Sequence, residues 1–409
     1  MSGRSFGGKV MELLDRFLSY VANATASDEA SDTVPSTPGQ RALAAQLAEE
    51  LSALGMQDVR VDEYSYVYAT LPATREGMAT VGLLAHMDTS PDMPGDGIRP
   101  RLITYRGGSV PLSGGAEIPA AQLAPYLGHR LVVTDGTTLL GADDKAGIAE
   151  IMTALEILVR EGHPHGCVRV CFTPDEEIGR GTDHFDLDGF SADYAYTVDG
   201  GRLGEVEYEN FNAARAVVSV RGFSIHPGSA KGRMRNAARI AAEFDSLLPQ
   251  GELPELTEGY EGFHHLVSLG GSVTEAEAVY LIRDHDAAAF ASKKAEFLRI
   301  GEALNQKYGA GTVTVTLTDS YYNMREVIDR APHTVTRAIA AMHALGITPI
   351  EKPIRGGTDG AMLSHRGLPC PNLGTGAENM HSGSEFVSVD DMERVAALLV
   401  RLLCDATAI

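Results

Sequence analysis

The stretch RVCFTPDEEIGRG, residues 169–181, sets two glutamates side by side where an apolar run stops, and follows them with glycine. A short apolar run bounded by turn residues reads as a buried strand, so Glu176 and Glu177 stand at a strand's carboxyl end. Carboxylates taken out of water there cost on the order of several kcal/mol each unless something compensates them. The same pattern recurs along the chain. VGLLAHMDTSP (81–91) ends a strand in His86 and Asp88, YAYTVDGG (194–201) ends one in Asp199, and NLGTGAENMHSGSEF (372–386) leads out of another towards His381. LLGADDKAG (139–147) opens a helix with Asp143 and Asp144.

Between the runs VGLLA (81–85) and LVV (131–133) and their successors lie helical patterns. In GIAEIMTALEILV, Ile151, Met152, Leu155, Leu158 and Val159 form an apolar stripe. In PSTPGQRALAAQLAEELSALG, Thr37 and Gln40 stand at capping-box spacing with Pro38 at the first helical position. Strands buried on both faces and alternating with helices predict an α/β layer with a mostly parallel sheet, whose functional groups gather at the strands' carboxyl ends.

From residue 211 the texture changes. AARAVVSVRG, RMRNAARIAAEFDSLL, HHLVSLGGSV, AVYLIRD, AAAFASKKAEFLRIGEALNQ and VTVTLTD read as strand, helix, two strands, helix, strand. That order predicts a ferredoxin-like α+β unit over 211–321, inserted into a discontinuous domain of 1–210 and 322–409. The chain then closes with a capped helix, SVDDMERVAALLVRLLC.

Thirty-four basic against 55 acidic residues give a net charge of -21, which argues against nucleic acid or an anionic membrane as partner. The four cysteines, Cys167, Cys171, Cys370 and Cys404, form no CxxC pair, so reduced thiols in a cytoplasm are expected. MSGRSFGGKVMELLDRFLSYV carries charges within its apolar stretch and reads as an amphipathic helix rather than a signal peptide.

Imidazole and carboxylate are the ligand types of catalytic zinc, and this many of them suit two ions roughly 3.5–4 Å apart under a shared carboxylate. With HMD, LLGADDKAGIAEI, TPDEEIG, TVDGG, HPGSAKG, RGGTDGA and the late histidine together, the chain resembles the di-zinc exopeptidases, a family that includes aminoacylases and bacterial carboxypeptidases. TEGYEGF, DSYYNMRE and KPIRGGTDGA align it most closely with that family's tripeptide aminopeptidases.

The resemblance covers nearly the whole chain and implies a zinc-exopeptidase-like catalytic domain with a lid. It implies two zinc ions per subunit: His86 and Asp199 on one, Glu177 and His381 on the other, Asp143 bridging. Glu176 becomes the general base, Asp88 orients His86, and a metal-bridging hydroxide attacks the first peptide carbonyl of a tripeptide. His226 in SIHPGSAKG is implied to reach the oxyanion and the substrate. Arg283 and Arg355 read either as surface ion pairs or as forks for the substrate's carboxylate; the resemblance favours Arg283 as an anchor. A cis peptide at Asp143–Asp144 is implied as well. Adjacent residues in extended chain face opposite ways, which would send Glu177 to the metal and Glu176 to the water. Left open are a homodimer, the subunit in which His226 acts, a deacylase or carboxypeptidase activity, and a non-catalytic metal-retaining protein, against which Glu176 argues.

Overall fold

The computed structural model describes residues 11–406. Their contacts divide the chain into two compact units: one holds the chain up to Tyr208, Val327–Lys352 and the chain from Thr358, and the other holds Glu209–Glu326 with Pro353–Gly357.

The first unit is built on an 8-stranded sheet. Its order is Gln57–Val61, Val67–Leu71, Val168–Thr173, Val81–His86, Tyr194–Gly200, Asn372–Gly374, Glu205–Glu207, Ile350–Glu351. The four strands from Val168–Thr173 to Asn372–Gly374 are mutually parallel. The flanks turn antiparallel, so the sheet is mixed, with a parallel centre. The reason is burial: Val81–His86 is covered on both faces, whereas Gln57–Val61 lies at the edge and is largely exposed, so an antiparallel neighbour suffices there.

The helix Ala142–Glu161 packs on Val81–His86 and Tyr194–Gly200, and Val389–Cys404 and Leu13–Val21 pack on that helix in turn. Leu13–Val21 is the described part of the amphipathic N-terminal helix; residues 1–10 of that expectation lie outside the described residues. Among the described residues, no helix is long and apolar enough to cross a membrane.

Two local expectations change. LVV does not join the main sheet: Arg130–Val133 pairs with Phe386–Ser388 and Arg101–Thr104 in a small antiparallel sheet over Tyr105, Ile118 and Phe386. An apolar run reports burial, not which sheet supplies it. The capping box at Thr37 is not formed either, although Pro38–Ala53 is a helix. Gln40 is fully buried and its amide binds Asp175, donating to Oδ1 at 2.6 Å and accepting from the backbone N–H at 3.1 Å. A buried amide must satisfy both ends, and Asp175 offers a partner for each.

The second unit is a 4-stranded antiparallel sheet in the order Phe263–Gly271, Glu275–Asp284, Asn212–Arg221, Val313–Tyr321. Helices Ala237–Leu247 and Ala287–Tyr308 pack on it around Val218, Phe244, Tyr280, Phe297 and Ile300. The connections are those of a ferredoxin-like unit. Pro353–Gly357 belongs here because Ile354 donates to the Glu209 carbonyl at 2.8 Å.

Gly147 shows how tightly the first unit's helix meets its sheet: a Cβ there would stand 1.8 Å from the Val198 carbonyl oxygen. Alanine normally gains about 1 kcal/mol over glycine inside a helix. Here Gly147→Ala is expected to lose about 1–3 kcal/mol, because backbone and not a movable side chain blocks it. Urea unfolding checks the sign, and a gain in stability would contradict this packing.

Candidate metal centre

Because Val168–Thr173, Val81–His86 and Tyr194–Gly200 are sheet neighbours running in parallel, their carboxyl ends place Glu176 and Glu177, His86 and Asp199 side by side. Asp143 reaches them from the start of Ala142–Glu161, where Gly141 takes a left-handed φ of 75° and the Asp143–Asp144 peptide is cis, as expected. His381 comes from the loop after Ala377–Glu378, itself at φ 59°.

The contacts form two groups that share one carboxylate. His86 Nε2 lies 2.8 Å from Asp143 Oδ1 and 3.3 Å from Asp199 Oδ1. His381 Nε2 lies 3.2 Å from Asp143 Oδ2 and 2.9 Å from Glu177 Oε2. An ion bound at about 2.0–2.2 Å holds neighbouring ligand atoms roughly 3–3.5 Å apart; the four contacts lie at or just inside that spacing, and the ligand atoms of each triplet fall within 4.8 Å of one another. Glu177 Oε1 is buried with no hydrogen-bond partner, a lone pair that a cation would satisfy. The donor set of imidazole and carboxylate suits zinc.

Electrostatics point the same way. Burial, reinforced by Asp143, pushes Glu177 up to about 8, and burial takes Asp199 up to about 6 against the pull of His86. Burial and the nearby Asp199 hold Glu176 well above the usual carboxylate range. Asp143 is the exception: burial would raise it, but hydrogen bonds from His381 and His86 keep it below its ordinary value. Hydrogen bonds to Asp143 and Glu177 in turn lift His381 to about 11. Acids and imidazoles share protons here for want of positive charge.

The two glutamates do not lie in extended chain. The strand ends at Thr173, Asp175 adopts a left-handed φ of 56°, and Glu176–Ile178 makes a 3-10 turn. Asp175 enforces the turn, since Ser36 donates to its carboxylate from backbone N–H at 2.7 Å and hydroxyl at 2.6 Å. The side chains still part: Glu177 meets His381, while Glu176 lines a narrow pocket with His86, Thr173, Asp199 and Asp359.

Asp88 is fully buried and does more than face His86. Its oxygens accept from the backbone N–H groups of Glu176 at 3.0 Å and Glu177 at 3.1 Å, and Oδ1 lies 3.3 Å from His86 Nδ1. His226, Arg283 and Arg355 belong to the second unit. His226 is exposed, with Nδ1 accepting from Gly228 N–H at 3.2 Å. Arg283 lies over the Tyr321 ring. Arg355 is neither a surface ion pair nor a free fork: it donates to the carbonyls of Gly259, Glu261 and Thr257 and stacks over Phe211 and Phe263.

Two buried groups near the site, Asp359 and Glu385, escaped the sequence reading. Asp359 accepts from Thr173 Oγ1 at 2.7 Å beside Glu176, and RGGTDGA was its only signal. Lys145 is fully buried and donates to the Asn23 carbonyl at 2.8 Å. Glu385 is buried against the loop before Asp143, and its place four residues after His381 gave no warning.

Residues 124–405 match the family described as peptidase family M20/M25/M40. Peptidase T of Bacillus licheniformis is 50% identical over 402 residues, covering 96% of this chain and 98% of that protein. Peptidase T of Geobacillus kaustophilus is 52% identical over 402 residues, covering 96% and 97%. The crystal structure of aminopeptidase PepT from Bacillus cereus shares the fold with a TM-score of 0.76 at 24% identity, covering 97% of this chain and 98% of that one.

The proton sharing predicts a pH dependence. A carboxyl raised in the folded state is stabilising only while protonated, so Asp199 and Glu177 withdraw stability as pH rises from about 4 towards 6 and 8. His381, raised to about 11, stabilises fully below about 6.5 and loses that contribution above it, in the same direction. Chelator-treated protein should therefore melt lower at about pH 8 than at about pH 5, and added zinc should raise melting most at the higher pH. A zinc effect that shrinks with rising pH would contradict the assignment.

Proposed function

The chain belongs to peptidase family M20/M25/M40, and from that membership we propose that its metal centre holds two zinc ions and removes the N-terminal residue of tripeptides. The enzyme is a metallopeptidase. His86, Asp199 and Asp143 would hold one ion, and Asp143, Glu177 and His381 the other. The observation that carries this reading is the division of Asp143: one carboxylate oxygen faces His86 and the other faces His381.

When bound, the ions supply Lewis acidity that lowers the pKa of water towards neutrality and polarises the scissile carbonyl. The rest falls to the chain's own residues. Glu176 takes the proton of the attacking water and hands it to the leaving amine, a task suited to a carboxylate whose pKa burial has raised. Asp88 keeps Glu176 and Glu177 at one height by holding both backbone N–H groups, and it fixes the His86 ring. His86, Thr173, Asp199 and Asp359 wall the narrow pocket beside Glu176.

The second unit acts as the lid in this reading, with His226 on the oxyanion and Arg283 on the substrate's carboxylate. The exposure of His226 supports its part. Arg355 is assigned to bracing the loop of Thr257, Gly259 and Glu261, since both its terminal nitrogens donate there. A cytoplasmic setting fits the four cysteines, all free as thiols.

Two substitutions and a substrate panel test the roles. Glu176→Gln keeps size but cannot accept the proton, so zinc content should stay near wild type while kcat falls by about 10²–10⁴-fold. Glu177→Gln should instead weaken zinc retention by at least about tenfold, with activity partly recovered at high zinc. Reversed behaviour of the pair would overturn the assignment. Mass spectrometry should show cleavage of a tripeptide but not of an N-blocked tripeptide or an acetyl-amino acid; cleavage of the acetyl-amino acid would favour a deacylase.

A further inference from the structure

The backbone just ahead of Asp143 curls around one carboxylate. Glu385, 1% exposed, accepts at Oε2 from Leu140 N–H at 2.6 Å and Gly141 N–H at 2.9 Å, and at Oε1 from Asp143 N–H at 3.1 Å. Successive N–H groups converging around a left-handed residue make an anion-binding concavity, and here the anion is a side chain of the same protein. Gly141 supplies the left-handed turn.

Glu385 also closes the turn that carries His381. Its N–H donates to the Ser382 carbonyl at 3.2 Å, Ser382 Oγ donates to the Asn379 carbonyl at 2.7 Å, and Thr134 Oγ1 donates to the Gly383 carbonyl at 3.2 Å. One carboxylate therefore ties together two irregular segments, the loop into Asp143 and the turn of His381. The other donors have firmer mounts. His86 and Asp199 end long strands of the central sheet, and His86 N–H is fixed separately by Asp144 Oδ2 at 3.1 Å.

We propose that Glu385 is a positioning residue that sets Asp143 against His381, and so governs the Asp143–Glu177–His381 half of the metal centre more than the His86–Asp199 half. The inference rests on the two-metal reading above. It has a chemical signature that general stabilisation lacks: losing Glu385 makes the two ions unequal. Glutamine fills the same space but offers one acceptor oxygen, so its amide nitrogen must face an N–H group that has nothing left to donate to.

The test is calorimetric titration of metal-free protein with zinc, beside kinetics on a tripeptide. Wild type is expected to bind two ions. Because Asp143 serves both ions, Glu385→Gln is expected to weaken both but unequally, the ion at Glu177 and His381 by about 10–100-fold and the ion at His86 and Asp199 by clearly less. Its kcat should be low and recover with zinc concentration while KM stays near wild type. If the variant does not fold, Gly141→Ala disturbs the same loop with Glu385 intact, because its Cβ would press on Thr89 Cγ2 at 3.2 Å from a left-handed backbone. The same unequal weakening is expected from it. Two ions bound as tightly as in wild type, or both weakened equally, would overturn the positioning role while leaving the functional reading in place. Wild-type protein that binds no zinc would overturn the functional reading itself.

Discussion

One carboxylate, that of Asp143, is shared between His86 and His381, and the geometry around it follows from that sharing. To serve both rings, its two oxygens must point to opposite sides, which fixes where the helix Ala142–Glu161 begins and how its first residues are held. Glu385 grips the backbone from one side. Asp144 turns away to accept from His86 N–H and from Gly147 N–H at 3.2 Å. Gly147 in turn lets the helix approach Val198, the neighbour of Asp199, so closely that no side chain fits. A helix set back by even one methyl group would separate Asp143 from Asp199.

The groups on the central strands were legible because their chemistry contradicts their surroundings. An acid or imidazole that ends an apolar run has no reason to be there unless something charged meets it, and a parallel sheet puts such ends together. His86, Asp199 and the two glutamates could be found in this way. The means by which the glutamates separate could not, since it depends on Asp175 and its partners Ser36 and Gln40, far off in sequence. Nothing in a run of residues reveals that a glutamine at capping-box spacing will face inward. Glu385 was hidden for a similar reason: its partners are backbone N–H groups, which every sequence has.

The second unit was legible in its strands and helices, whose periodicities are local, but not in the segment Pro353–Gly357. That segment is held by contacts distant in sequence: Ile354 to the Glu209 carbonyl and Arg355 to the carbonyls of the 257–261 loop. A guanidinium reads the same in sequence whether it will meet a carboxylate of substrate or a ring of carbonyls. Only the geometry decides, and for Arg355 it favours the carbonyls, with the Phe211 and Phe263 rings beneath.

How the buried carboxylates are satisfied separates structural groups from those left for a cation. Asp88, Asp144, Asp175 and Glu385 each accept from backbone N–H groups, donors that can neither titrate nor move far. Asp143, Asp199 and Glu177 face imidazoles and one another instead, and Glu177 keeps one oxygen with no partner. Glu150 is a third kind. Both its oxygens are buried and unpartnered, and burial holds its pKa well above the usual range. Where several acids converge on two imidazoles, protons cannot satisfy them without undoing the pairings that hold Asp143, and positive charge of another kind can.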